Sequence, residues 1–188
     1  ICEGKPAGIV VATAFPRVAA AAKRLLHGRR LRVYDNDDVI GVELAGALKN
    51  VVAIAAGVCD GLELGDNAKA ALITRGLSEI RRFGRAAGAQ PDTFNGLSCM
   101  GDLTVTCFSK QSRNRTLGER IAKGEALDKV LASATAEGHP TAKSAHALAR
   151  RLKVITPIID EVYAMLYENK DVRKTVTDLM TPDLKAET

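Results

Sequence analysis

The chain has 188 residues, of which 46% are hydrophobic and 26% charged, the make-up of an ordinary soluble globular protein rather than of a disordered or fibrous segment. Aromatic residues amount to only 4% and tryptophan is absent, which favours closely packed helices over a β-sandwich and argues against stacking surfaces for single-stranded nucleic acid. The net charge of +5 admits phosphate-bearing partners. The basic pairs Arg29-Arg30, Arg81-Arg82 and Arg150-Arg151 are scattered over separate helices and read as solvated faces, so no nucleic-acid partner is expected.

The first residue is Ile, followed by a loop-like Cys2-Glu3-Gly4-Lys5-Pro6, and the chain reads as a fragment of a longer one. Gly8 to Thr13 is a short apolar, β-branched run and Arg32 to Tyr34 a weaker one. Between them Pro16 to Leu26 is alanine-rich and helical, with proline in the first turn. This β-α-β piece has too few strands to stand alone and should complete a larger sheet.

After Asp35-Asn36-Asp37-Asp38 the character changes to successive helices. A largely buried helix runs from Val39 to Val58. A second covers Asp66 to about Ala87, started by Gly65-Asp66-Asn67 and stopped at Gly88. A third covers Arg113 to Ala122 and closes at Gly124. Others are expected over Ala126 to Ser133, Thr141 to Leu152, Pro157 to Tyr167 and Asp171 to Met180, with a loose tail from Thr181. The division this implies is residues 1–38 as the end of one domain and residues 39–188 as a second, helical one.

The longest unbroken apolar run, Val51 to Val58, is shorter than a bilayer requires, and no membrane insertion is expected. Cys2, Cys59, Cys99 and Cys107 form no C-x-x-C pair and have no histidine at metal-ligand spacing. They read as reduced thiols of a cytosolic protein without a metal site.

Lys49 stands inside the buried helix. On a 3.6-residue period its neighbours are Ala45, Gly46, Val52, Ala53 and Ala56, which offer no opposite charge. Unless another segment brings it a carboxylate or a ligand anion, desolvation favours the neutral amine, the form in which lysine serves as a base. A lysine that snorkels to the surface is the bland alternative. The adjacent Asn50 favours a functional cleft, because consecutive helix positions point about 100° apart and can border one pocket.

Three further segments carry polar residues that packing does not require. In Gly101-Asp-Leu-Thr-Val-Thr-Cys107, one or more of Asp102, Thr104 and Thr106 can face the cleft of Lys49, although Asp102 is equally readable as a helix cap. In Ser109-Lys-Gln-Ser-Arg-Asn-Arg115, free N–H groups, the positive end of a helix dipole, an arginine and an asparagine suit a phosphate. Cations at a helix start are otherwise misplaced. A solvated basic turn is the alternative. In Thr135-Ala-Glu-Gly-His-Pro-Thr141, Glu137 lies in a Gly/Pro loop, where it can accept hydrogen bonds from a cofactor's ribose or amide or simply remain a loop carboxylate.

Taken in order, these stretches resemble the C-terminal part of the bacterial NAD(P)-dependent glycerol-3-phosphate dehydrogenases. The resemblance rests on Asn36-Asp-Asp-Val-Ile-Gly-Val-Glu-Leu-Ala-Gly-Ala-Leu-Lys-Asn50, Gly65-Asp-Asn-Ala-Lys-Ala-Ala-Leu-Ile-Thr-Arg-Gly-Leu77, Gly101-Asp-Leu-Thr-Val-Thr-Cys107 with Ser112-Arg-Asn-Arg115, and Glu137-Gly138. It implies a mainly α fold, an all-helical substrate domain of the 6-phosphogluconate dehydrogenase C-terminal-like kind, preceded here by a β-α-β remnant of a Rossmann-like domain. Lys49 then matches the family's catalytic lysine. Asn50, Asp102, Thr106, Ser112, Arg113 and Asn114 match residues that bind the triose phosphate, and Arg113, Thr135 and Glu137 match cofactor contacts. Asp102 would orient the lysine and set its charge. The resemblance also implies NAD or NADP as cofactor, an N-terminal Rossmann domain as partner, a homodimer and a cytoplasmic location.

The departures are small: Leu97-Ser-Cys-Met-Gly-Asp-Leu103 stands where the family usually has Leu-Ala-Gly-Leu-Gly-Asp-Leu, and Thr135-Ala-Glu-Gly138 where it has Val-Val-Glu-Gly. No G-x-G-x-x-G is present and the family's second lysine has no counterpart, so the isolated chain is expected to be inactive. A related β-hydroxyacid dehydrogenase domain and a non-catalytic helical dimerisation module are the competing readings.

Overall fold

The computed structural model describes residues 5–180. The β-branched run forms β1 (Ala7–Ala12), Pro16 opens α1 (Pro16–Leu26), and β2 (Leu31–Asn36) returns beside β1 in parallel, pairing Ala7 with Leu31 and Ala12 with Asn36. These two strands are the whole sheet among the described residues.

β2 leads directly into α2 (Val39–Gly61), whose N-cap is Asp38. One oxygen of Asp38 accepts the Gly41 N–H at 2.9 Å, and the other accepts from Gln90 N at 2.8 Å and Thr93 Oγ1 at 2.7 Å. Burial opposes the charge, yet the hydrogen bonds from Thr93, Gly41 and Gln90 hold the carboxyl below its ordinary range. Asp38 therefore ties the start of α2 to the Pro91–Asn95 3₁₀ turn.

α2 is the centre of the molecule. It spans about 35 Å at 1.5 Å per residue, and from Asn50 to Cys59 every residue is buried. Packed against it are α3 (Gly65–Ala86), α4 (Asp102–Phe108), α5 (Arg113–Ala122), α7 (Gly138–Leu152) and α8 (Pro157–Tyr167), with α6 (Leu127–Ser133) against α5 and α9 (Val172–Met180) against α8. By length and composition α2 is apolar enough to cross a membrane, a property that unbroken apolar runs in the sequence do not reveal. It is wrapped by the other helices, the position of a core helix that is apolar all round.

The closest approach is between α2 and α5. A Cβ built on Gly57 would lie 1.8 Å from the carbonyl oxygen of Arg115, and one on Gly118 would lie 1.9 Å from that of Ile54. The two backbones touch only because both positions lack a side chain. Cys59, Cys99 and Cys107 are buried and free, and burial pushes their thiols up to about 11, 12 and 12. Cys2 lies outside the described residues, as do Thr181 to Thr188.

Local detail departs from the expected bounds at several places, α2 running three residues past Val58 to Gly61. Leu97–Gly101 is a π turn that runs into α4, so the segment of Asp102 is helical throughout. α7 begins at Gly138 rather than Thr141, which puts His139 in its first turn and makes Glu137 its N-cap residue. Pro140 is tolerated there because a first-turn N–H has no intrahelical acceptor. α3 starts one residue earlier than expected, at Gly65.

Candidate active site

Lys49 is not a lone ammonium on an apolar face. Its Nζ donates to Oδ2 of Asp102, carried by α4, and its side chain is 19% exposed against 42% for the carboxylate. The 3.6-residue reading included only the lysine's own helix, and the opposite charge arrives from another. Thr106, one turn after Asp102, donates its hydroxyl to the Asp102 carbonyl at 2.6 Å and lies 3.3 Å from Oδ1. Thr104 bonds back to Met100 O and is exposed, so of the two threonines only Thr106 joins the group.

Asn50 starts a second chain of contacts. It is 7% exposed, its Nδ2 donates to Gly46 O at 3.3 Å, and its Oδ1 accepts from Nδ2 of Asn114 at 2.9 Å. Asn114 Oδ1 in turn accepts the N–H of Gly138 at 2.8 Å. Through one amide, α2, α5 and the first turn of α7 are joined beside Lys49.

Ser112 is the N-cap of α5, its Oγ accepting the Arg115 N–H at 3.2 Å. Arg113 and Asn114 follow as the first two helical residues, and their N–H groups have no intrahelical acceptor. The Arg113 guanidinium is more than half exposed and stands 3.8 Å from Glu137 Oε1. At that distance and exposure the pair contributes little stability. Both groups remain available to a ligand. Thr135 is exposed two residues before Glu137. Of the residues singled out in the sequence, Lys49, Asp102 and Thr106 form one connected set, Asn50 and Asn114 a second, and Arg113 and Glu137 a third, with Ser112 at the helix start they share.

The chemistry of this arrangement is specific. A lysine held by a carboxylate is followed on α2 by Asn50, which bonds Asn114 at a helix start that also carries an arginine, and these groups suit a substrate with a transferable proton at one end and a phosphate at the other. An open cleft between β1, α2 and the π turn, lined by Val10, Val42, Gly46 and Ser98, reaches this group at Asp102. A separate apolar cavity under α9, lined by Val58, Leu72, Val162 and Leu179, contains none of the site residues. Among the described residues no three His, Cys, Asp or Glu side chains come together as a metal site.

Sequence reasoning missed the ion cluster beside the site. Asp60 at the end of α2 holds the ammonium of Lys69 at 2.8 Å through both oxygens and Nη1 of Arg115 at 2.6 Å. Burial raises the pKa of Asp60, but hydrogen bonds from Lys69 and Arg115 outweigh it and hold the carboxyl below its usual range. Arg115 appears in the sequence as one more cation of a basic turn, and nothing local marks its carboxylate partner 55 residues away.

A family model described as the NAD-dependent glycerol-3-phosphate dehydrogenase C-terminus matches residues 38–177. The chain is 54% identical over 184 residues to the glycerol-3-phosphate dehydrogenase (NAD(P)+) of Geobacter sulfurreducens, covering 97% of this chain and 55% of that protein. It is 50% identical over 189 residues to a protein of the same name from Salinibacter ruber, covering 100% of this chain and 55% of the other. The crystal structure of glycerol-3-phosphate dehydrogenase from Coxiella burnetii superposes with a TM-score of 0.93 at 38% identity, over 96% of this chain and 56% of that one. The chain thus spans about half the length of the curated relatives it matches. The match over most of its helices, including every segment that builds the site, shows that this chain belongs to the NAD(P)-dependent glycerol-3-phosphate dehydrogenase family and carries its C-terminal, helical part.

Proposed function

We propose that the protein containing this chain interconverts sn-glycerol 3-phosphate and dihydroxyacetone phosphate with NAD or NADP, in the supply of glycerophospholipid precursors. One observation carries the reading: Lys49, paired with Asp102, is followed on α2 by Asn50, whose side chain bonds Asn114 at a helix start suited to an anion. Ser112, Arg113 and Asn114 hold the phosphate, and Arg113 neutralises it by charge-assisted hydrogen bonds. That fixes the distance from phosphate to C2 and presents the C2 hydroxyl to Lys49.

In its neutral amine form Lys49 takes the hydroxyl proton as the C–H bond at C2 gives up its hydride, and in reverse, as the ammonium, it returns that proton to the developing alkoxide. Asp102 aims the Nζ through its hydrogen bond, and Thr106 steadies the Asp102 end. The nicotinamide, when bound, supplies the hydride acceptor. The exposed Glu137 carboxylate and Arg113 guanidinium fit such a group, offering an acceptor for ribose or amide donors and a cation for its phosphates; Thr135 adds a hydroxyl.

In this reading residues 1–38 belong to the cofactor-binding half and residues 39–188 form the substrate domain. The protein works as a cytoplasmic homodimer, and the 188-residue chain by itself does not turn over. The test is the full-length protein with dihydroxyacetone phosphate and NADH or NADPH, followed by cofactor absorbance. Turnover of the phosphorylated ketone with a Kd below millimolar for one cofactor is expected. Absence of turnover with either cofactor overturns the reading.

A further inference from the structure

We infer that Arg115 is a positioning residue for the phosphate site, setting the place of the Ser112–Asn114 helix start without touching substrate. The inference rests on the proposed phosphate role of that helix start. Arg115 is 7% exposed, and its side chain reaches three different segments. Nε donates to the carbonyl of Ser109 at 3.1 Å, in the turn that leaves α4 after Phe108 and enters α5 at Ser112. Nη1 donates to Asp60 Oδ2 at 2.6 Å on α2, and the same nitrogen lies 2.9 Å from Glu119 Oε2 one turn further along α5. Its own N–H is capped by Ser112 Oγ, and its carbonyl rests against Gly57 of α2.

One guanidinium therefore fixes the turn on which Ser112, Arg113 and Asn114 depend to the helix that carries Lys49 and Asn50. None of its side-chain partners belongs to the site. A planar fork suits this task and an ammonium does not, because donors on different nitrogens are needed at the same time toward Ser109 and Asp60. Lysine preserves the charge facing Asp60 and loses the tie to Ser109. The turn is then free to shift, and a displacement on the order of 1 Å at a positioning contact is enough to lower the rate or the affinity by about 100-fold.

The experiment compares Arg115→Lys with wild type in the full-length enzyme, with Ile158→Ala as a control. Ile158 is a fully buried side chain of α8, and its truncation lowers stability without entering the turn. The expected result for Arg115→Lys is a KM for dihydroxyacetone phosphate raised about tenfold, a kcat within about threefold, and a parallel rise in the inhibition constant of inorganic phosphate. For unphosphorylated dihydroxyacetone, kcat/KM stays within about twofold, and Ile158→Ala leaves the KM for the phosphorylated substrate unchanged at a comparable fall in Tm. Arg115→Gln, which keeps a planar donor without the charge, repeats the measurement should the lysine variant not fold. An unchanged KM in the folded variant, or an equal rise in Ile158→Ala, overturns the positioning role. Inactive wild-type enzyme would instead overturn the proposed function.

Discussion

Asp102 and Lys49 meet as a carboxylate and an ammonium although 53 residues separate them in the chain. The contact exists because α4 is laid across α2 just after a π turn, a wide turn of the kind found within helices at functional sites. The N-cap of α4 is Gly101, and the Asp102 carboxylate, one residue into the helix, accepts from Lys49 and from the Thr106 hydroxyl. In the proposed reaction, where Lys49 collects a proton from one atom of a small substrate, a fixed direction matters as much as basicity.

Lys49→Met in the full-length enzyme is therefore expected to lower kcat by about 10²–10⁴ with folding nearly intact. Asp102→Asn, which leaves an acceptor but no charge, should give a smaller loss of kcat with little change in KM. Steady-state kinetics at saturating cofactor read both. A lysine variant that keeps more than about a tenth of wild-type kcat would remove Lys49 from the proton transfer.

Arg113 is exposed and bound to Glu137 only at 3.8 Å, so its removal should disturb the fold little. If it holds the phosphate, Arg113→Ala loses about 1.5–3 kcal/mol of transition-state binding, roughly 10- to 150-fold in kcat/KM for dihydroxyacetone phosphate. The loss for unphosphorylated dihydroxyacetone should be far smaller. Equal losses for the two substrates would make Arg113 a structural residue.

Much of this geometry was legible in the sequence wherever signals are local. α1, α5 and α8 start and end at the residues expected from proline, cap and periodicity signals. The Ser112 cap at the start of α5 was readable for the same reason, since the cap and the first helical residues are consecutive. What pairs across the chain was not. Nothing near Lys49 announces Asp102, and nothing near Arg115 announces Asp60, because both pairings depend on how helices pack. The 3₁₀ and π turns between Pro91 and Gly101 carry neither a helical nor a strand period long enough to read.

Asn114 satisfies two other elements with one amide, and the order of its atoms is testable. Its Nδ2 serves Asn50 and its Oδ1 serves the backbone of Gly138. Asn114→Ala leaves a buried N–H and a buried carbonyl oxygen without partners, at a cost of about 1–3 kcal/mol. Asn114→Asp keeps the acceptor for Gly138 but sets a buried carboxylate oxygen against the Asn50 Oδ1 acceptor, so it should be the less stable of the two by Tm. It also places a negative charge at the anion site, so its KM for dihydroxyacetone phosphate should rise further than that of the alanine variant. An aspartate variant with a KM within twofold of wild type would take Asn114 away from the phosphate.

Glu79 offers a pH-dependent readout outside the site. It is 2% exposed on α3, and its two oxygens accept the N–H groups of Ile158 and Ile159 at 2.9 Å, capping α8 from another helix. Burial raises its pKa from 4.5 to about 7, outweighing those two hydrogen bonds, which act to lower it. A raised folded-state value means that the folded protein binds the proton more tightly than the unfolded chain does. The contribution of this group to stability is therefore complete below about pH 4.5 and is lost as pH rises through about 7. The span between those values corresponds to about 3 kcal/mol. Glu79→Gln carries no titrating group at this position. Its stability relative to wild type should climb by an amount of that order between pH 4.5 and pH 7.5 and level off above, as read by Tm across buffers of equal ionic strength. Parallel Tm curves for the two proteins would mean that the N–H pair holds Glu79 ionised throughout, and that its burial does not set the balance.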